Sequence, residues 1–345
     1  MTRSVHKLVR TAALRPRWSL LLVLLVLLVC LSLLAGRFPI DWRLLLPGQY
    51  PISDQPSASQ AEMARSVLFN LRLPRTFVAL YGGFGLALVG SVLQTIFKNP
   101  LASPDIMGVS SGASVGAAAA ILFLGSGVLP VTLGAFTGGL LAVALAVFLA
   151  QSGSQRQLAT FVVSGLAVNA LAQALLMLLK RVADPHNTLA AIEFWIMGGL
   201  GTITLGKAAG LLLATLPALI LLILLSRQIS LLTLSDSEAM ALGVNLHLVR
   251  PMLLGLSTLV VAGTVAVTGL ISFIGLIAPH IARLVYRRND RTVWLFGGLI
   301  GACLLLAADI LARSVATSEI PVSILTSLIG VPVLISLVHR GGRLP

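Results

Sequence analysis

Ten stretches of mostly apolar residues follow one another along this chain, at 18–35, 74–97, 107–125, 128–150, 157–179, 207–226, 251–271, 273–286, 294–312 and 321–338. A hydrocarbon layer about 30 Å thick is crossed by roughly 20 residues of helix, and nearly every run is close to that length. Charged residues make up 10% of the chain and hydrophobic ones 57%, with a mean hydropathy of +1.00. A soluble domain carries about 25% charged residues, so no packing in water hides this much apolar side chain. The expectation is an all-α integral membrane protein of about ten transmembrane helices, with residues 1–345 forming one transmembrane domain and no large soluble one.

The basic residues set the expected orientation. Arg3, Lys7, Arg10, Arg15 and Arg17 precede the first run. That pattern resembles a signal peptide, but no small-x-small cleavage site follows, so the first helix is expected to remain, with residues 1–17 in the cytoplasm. An even number of spans returns the C-terminus, with Arg340 and Arg343, to the same side. Residues 37–71, with Pro39, Pro47, Pro51 and Pro56 and no clear period, read as an extracytoplasmic loop, and 227–250 as a cytoplasmic one. This assignment puts 15 of the 24 basic residues in the cytoplasm and 9 outside, in the sense of the positive-inside rule. The run at 273–286 is short for a crossing, which points to partly irregular backbone there, tolerated only where protein surrounds it. The formal charge of +13 is spread between apolar runs with no aromatic-interleaved stripe, which argues against nucleic acid as a partner. Cys30 and Cys303 lie inside apolar runs and indicate neither a disulfide framework nor a metal site.

No set of acid, base and nucleophile is visible, so the chain does not read as an enzyme. Gly201-Thr-Ile-Thr-Leu-Gly206-Lys207-Ala208 fits a phosphate-binding loop until Ala208, where the magnesium-binding hydroxyl is missing. No strand precedes it, and any ATP hydrolysis must come from another subunit. Gly112/Gly116, Gly134/Gly138 and Gly297/Gly301 are spaced four apart and mark faces where helices approach closely. Ser235-Asp236-Ser-Glu238 is a capping box, and Gly243 can close the helix in a left-handed conformation. The resulting helix of about two turns, with Ala239, Leu242 and Val244 as apolar contacts, reads either as a solvated loop helix or as a docking element for a cytoplasmic partner. Asp309 and Arg313, four apart, can pair at membrane depth, in a structural or a functional role. Arg72, Arg75 and Arg313 all fall at outer span ends, where three guanidinium groups would form a basic rim suited to carboxylates on a partner.

Seven collinear stretches carry a resemblance. They are Arg72-Leu-Pro-Arg75, Gln94-Thr-Ile-Phe-Lys-Asn99-Pro-Leu-Ala-Ser-Pro-Asp105-Ile-Met-Gly108-Val-Ser-Ser-Gly-Ala-Ser114, Phe194-Trp-Ile-Met-Gly198, Ala241-Leu-Gly-Val-Asn245, Phe273-Ile-Gly-Leu-Ile-Ala-Pro-His280-Ile-Ala-Arg283, Ala308-Asp309-Ile-Leu-Ala-Arg313 and Glu319-Ile-Pro-Val322. From Arg72 onward the chain resembles the FecCD permeases, membrane subunits of type II ABC importers for ferric siderophores, haem and cobalamin. The resemblance implies the type II importer permease fold, a site in the bacterial cytoplasmic (inner) membrane, and a homodimer or a heterodimer with a related permease. It also implies two cytoplasmic ABC ATPase subunits and a substrate-binding protein outside. No cofactor is expected on this chain, since ATP and magnesium belong to the partner ATPase. By the same resemblance, Arg72, Arg75 and Arg313 meet the binding protein. Ser235, Asp236, Glu238, Ala239, Leu242 and Gly243 belong to the coupling helix seated on the ATPase. Asn99 and Leu101 form a cytoplasmic gate, with a second gate segment at Leu158 and Ala159, where the small hydroxyl residues of the cobalamin permease are absent. The usual Gly-Pro before the Phe273 stretch is replaced by Leu270-Ile271, an exchange expected to stiffen the segment. The reading is import of an iron-siderophore complex, with haem or cobalamin import by the same machinery as the alternative. An ion-coupled secondary transporter is the rival from another class; it would place acidic residues near mid-membrane, whereas Asp105 and Asp309 fall near span ends.

Overall fold

The structure is a computed structural model and describes residues 2–36, 38, 58–152, 158–286, 289–316 and 318–340. Its helices are α1 (Thr2–Leu34), α2 (Ala58–Ser66), α3 (Leu73–Ile96), α4 (Val109–Leu124), α5 (Val128–Ser152), α6 (Leu158–Val182) and α7 (Thr188–Met197). They continue with α8 (Leu205–Leu224), α9 (Ser226–Leu231), α10 (Asp236–Ala241), α11 (Leu246–Thr268), α12 (Ile274–Tyr286), α13 (Arg291–Ser314) and α14 (Val322–Arg340). Among the described residues seven helical stretches are long and apolar enough to cross a membrane, and α4, α7, α12 and α14 supply shorter apolar helices.

Burial sorts these helices by position. In α3, 78% of the spanning window is buried, and in α11 and α13 72%, against 11% in α1 and 22% in α6. The first three therefore form the centre of the bundle. The others present rows of exposed leucines such as Leu20, Leu171 and Leu213, which only an apolar solvent satisfies. Helices at the centre and beside it meet through glycine. A Cβ on Gly116 would run into the Gly134 carbonyl, and one on Gly301 into the Gly83 carbonyl, which brings α4 against α5 and α13 against α3 at backbone distance.

Two departures from the expected spans have local causes. The segment expected as an extracytoplasmic loop over 37–71 is helical from Ala58, and α2 runs into α3 through a wide π-turn at Val67–Arg72. Pro74 has no N–H for the carbonyl four residues back, and the turn before it widens so that the Leu73 N–H reaches Leu68. Residue 37 and residues 39–57 of that expected loop lie outside the described residues. The short run at 273–286 is α12, 13 residues long, preceded by irregular backbone after Gly269. Gly269 and Phe273 both take left-handed conformations, with φ of 69° and 68°. Ile271 in this stretch is buried, and α12 packs on the central helices, so protein surrounds the irregular backbone.

Candidate functional site

The bundle has two ends, each carrying one group of the residues singled out by sequence. At the first end, Ser235 caps α10. Its hydroxyl accepts the Glu238 N–H at 3.3 Å, and the Glu238 carboxylate accepts the Ser235 N–H at 2.9 Å, which completes the capping box. Gly243, at φ 86°, closes the helix, and the Val244 N–H returns to the Ala239 carbonyl at 3.0 Å. Of the three apolar residues read as contacts, Ala239 and Val244 turn into the protein; Leu242 faces outward, 58% exposed, together with Met240 at 53%.

Beside α10 the chain leaves α3 in a tight turn. Lys98 has φ 48°, an uncommon conformation for a residue with a Cβ, and the Asn99 N–H returns to the Gln94 carbonyl at 3.1 Å. The Asn99 side chain then accepts the Leu101 N–H at 2.9 Å, while the Leu101 side chain stays 43% exposed. Leu158 and Ala159 open α6 as backbone, but their side chains lie outside the described residues. Asp236, at the first position of α10, takes two charge-assisted bonds on one carboxylate oxygen: Arg250 Nη2 at 2.8 Å and Lys98 Nζ at 3.0 Å. These bonds, Arg250's first, hold the Asp236 carboxyl below the usual range. A depressed carboxyl contributes its pairing above the unfolded value and loses it only as pH falls through the lowered one, so the contact is intact at neutral pH. Lys98 and Arg250 were legible in the sequence only as topology-setting charges, because nothing local announces a partner 138 or 14 residues away.

At the other end lie the three arginines, and here an expectation is corrected. They do not form an open basic rim: Arg72, Arg75 and Arg313 are 5, 8 and 6% exposed and turn inward. Arg72 donates to the carbonyls of Leu33, Leu34 and Phe38 at 2.7, 2.8 and 2.5 Å. Arg313 donates to the Ser32 carbonyl and hydroxyl at 2.9 and 2.6 Å and to the Ala35 carbonyl at 3.3 Å. The last carbonyls of α1 have no partner within the helix and sit at its negative end, which is why two guanidinium groups converge on them. Arg75 binds Asp309 through Nε at 2.7 Å and Glu319 through Nη1 at 2.9 Å, and Arg313 closes on the other Asp309 oxygen at 3.5 Å. Asp309, fully buried, is thus enclosed by two arginines, a geometry that suits ionisable groups at membrane depth.

A cavity of about 280 Å³ opens beside this cluster. Phe194, Trp195 and much apolar surface line it, and its charges are Lys207 and the Arg75–Glu319 pair. The phosphate-loop-like stretch ends here as a helix start: Thr204 caps α8, and Lys207 Nζ donates to the Thr202 hydroxyl at 3.1 Å. Gly198 lies against the backbone of Leu270, and the Val322 N–H reaches the Gly198 carbonyl at 3.2 Å, so α7, α11 and α14 meet at this wall.

The bundle thus carries a capped helix and a tight turn at one end and a mostly apolar cavity beside buried ion pairs at the other. The FecCD transport family matches residues 24–340, nearly the whole chain. This protein belongs to the FecCD transport family. Relatives of this FecCD protein include the hemin transport system permease HmuU of Yersinia pestis, 38% identical over 94% of the chain and 96% of the relative. The molybdate import permease MolB of Haemophilus influenzae is 36% identical over 93% and 96%, and the vitamin B12 import permease BtuC of Escherichia coli 36% over 95% and 96%. A solved structure described as an inward-facing metal-chelate type ABC transporter superposes with a TM-score of 0.81 at 34% identity, covering 93% of this chain and 97% of its own. The FecCD protein therefore has the type II importer permease fold and is a multi-pass permease subunit of an ABC importer of the bacterial inner membrane. As a pore component it is not an enzyme, and ATP hydrolysis resides in a separate subunit, which displaces the ion-coupled reading.

Proposed function

We propose that the chain carries an organic metal chelate, an iron-siderophore complex first among them, from a binding protein outside into the cytoplasm. The observation that carries this reading is the lining of the cavity at the arginine end. It is mostly apolar and aromatic, with one lysine and one neutralised Arg–Glu pair. A small oxyanion such as molybdate travels best past a ring of donors and positive charge, whereas a ligand-wrapped metal offers apolar surface with a few polar groups. Haem and cobalamin, the cargo named for two of the relatives, share that chemistry and are the second reading.

In this proposal two copies of the chain, or this chain and a related permease, enclose the path, and two ATPases seat on α10. Both termini face the cytoplasm with α10, and ATP with its magnesium stays on the ATPases. The binding protein docks over the arginine end. Arg75 is the arginine best placed to answer a docking carboxylate, since it borders the cavity; its Nη2, buried and without a hydrogen-bond partner among the described residues, becomes available once docking shifts the side chain. Arg72 and Arg313 support that face from beneath. Asn99 and Leu101, with Leu158 and Ala159 as the second gate segment, close the cytoplasmic mouth, and nucleotide-driven closure of the ATPases exchanges which end is open.

The test is uptake into proteoliposomes holding the chain with the ATPase and binding protein encoded beside it. Ferric hydroxamate, haemin, cobalamin and molybdate are offered in turn. ATP-dependent accumulation of the hydroxamate complex supports the proposal. Molybdate uptake alone, or uptake driven by a proton gradient without ATP, rejects it.

A further inference from the structure

The contact between Asp236 and Lys98 joins two elements that the sequence presents as separate. Lys98 sits in the turn that follows α3 and immediately precedes Asn99 and Leu101, and Asp236 is the first residue of α10. Their separation is 138 residues, yet the Lys98 Nζ lies 3.0 Å from the Asp236 carboxylate. Three further observations favour transmission of movement over a chance surface pair. The turn is stiff: Lys98 is held at φ 48° while backbone and side-chain bonds from Asn99 close the loop on either side. The α10 end of the contact is stiff as well, since the capping box fixes the backbone that carries Asp236. Finally, Arg250 of α11 holds the same carboxylate oxygen at 2.8 Å with its side chain mostly buried, so Asp236 is orientated from behind. An exposed ion pair contributes little to stability. The Lys98 stem, 37% exposed, leaves the contact some slack, so it transfers a displacement of α10 once that stem is drawn taut between the two fixed backbones.

We infer that Asp236, braced by Arg250, is a positioning residue that ties α10 to the turn at 97–103 through Lys98, so that a shift of α10 moves Leu101 at the mouth of the path. This rests on the proposed seating of the ATPase on α10 and on the proposed gate at Asn99 and Leu101, and it adds the physical link between them.

The experiment uses the full complex in inside-out vesicles, with Cys30 and Cys303 replaced and Leu101→Cys as reporter. The rate of labelling by a membrane-impermeant maleimide is compared without nucleotide and with ATP plus vanadate, and ATPase retention and hydrolysis are measured in parallel. With Lys98 in place the two rates are expected to differ by about fivefold, within the range of known coupling energies. Lys98→Ala is expected to bring them within about twofold with the ATPase still bound, and Lys98→Arg to preserve the difference. Asp236→Asn combined with Lys98→Ala is expected to do no more than either alone, the mark of one shared interaction. A full nucleotide response in Lys98→Ala overturns the link alone. So does loss of the ATPase from that variant, since the contact would then serve assembly. Met240→Glu with Leu242→Glu separates the underlying reading: if the ATPase stays bound to that variant, α10 is not its seat and both fall. If Leu101→Cys labels identically in the two states with Lys98 intact, the gate assignment falls and takes the link with it.

Discussion

Asp309 is the residue on which the arginine end turns. It is completely buried, and removing its charge leaves Arg75 and Arg313 facing each other without their common partner. Breaking a buried ion pair by deleting one partner costs about 3–5 kcal/mol, so Asp309→Ala is expected to lower the detergent-solubilised melting temperature sharply, in a thermal scan of the purified protein. Arg72→Ala is expected to act more mildly. It uncovers the last carbonyls of α1, and hydrogen bonds from a charged group contribute roughly 1.5–3 kcal/mol, so the same scan shows a smaller shift. These residues were visible in the sequence as arginines at span ends, and their inward direction was not. That direction depends on carbonyls near residue 33 and on α13, which no spacing reveals; the charge reversal of Arg72 and Arg75 that an open rim would tolerate is therefore expected to damage folding as well as docking.

At the scale of elements, glycine placement decides which helices pack. Gly116→Val forces a side chain into the Gly134 carbonyl and is expected to cost at least about 1–3 kcal/mol, read as loss of monodisperse protein in detergent. Gly255→Ala is the control: open space surrounds that position on α11, and trading glycine for alanine inside a helix gains about 0.5–1 kcal/mol. The capping box at Ser235 was readable because it is local, four residues deciding one helix start, and the spaced glycines were readable because a helix repeats. The helix from Ala58 was not. Its residues are polar and follow a proline-rich stretch, and the π-turn that joins it to α3 is set by Pro74, whose effect on the preceding turn has no signature of its own in composition. The α7 helix was missed as an element for a related reason: ten residues ending at Met197 are too few for a span, and their packing beside α4 and α14 gives them a place.

For the molecule as a whole, the two ends of the bundle allow the orientation that sequence charge suggests to be tested. Arg17, at the start of the apolar part of α1, donates to the Val285 carbonyl near the end of α12, the same end of the bundle as Lys98 and Asp236. The α14 helix begins beside Gly198 at the arginine end and runs 19 residues toward the other, about 28 Å at 1.5 Å per residue, which carries its C-terminal turn to the end of the bundle where Arg17 sits. If positive charge fixes that end in the cytoplasm, a cysteine at Ser237 in α10 reacts with an impermeant maleimide only in inside-out vesicles, and one at Thr202 beside the cavity only in right-side-out cells. The native cysteines are replaced for this assay, because Cys30 is exposed. Reaction of both positions from one side would mean that the two ends are not separated by a bilayer, and the reverse pattern would put α10 out of reach of any cytoplasmic ATPase. Either result removes the coupling role of α10 while leaving the helix bundle itself intact.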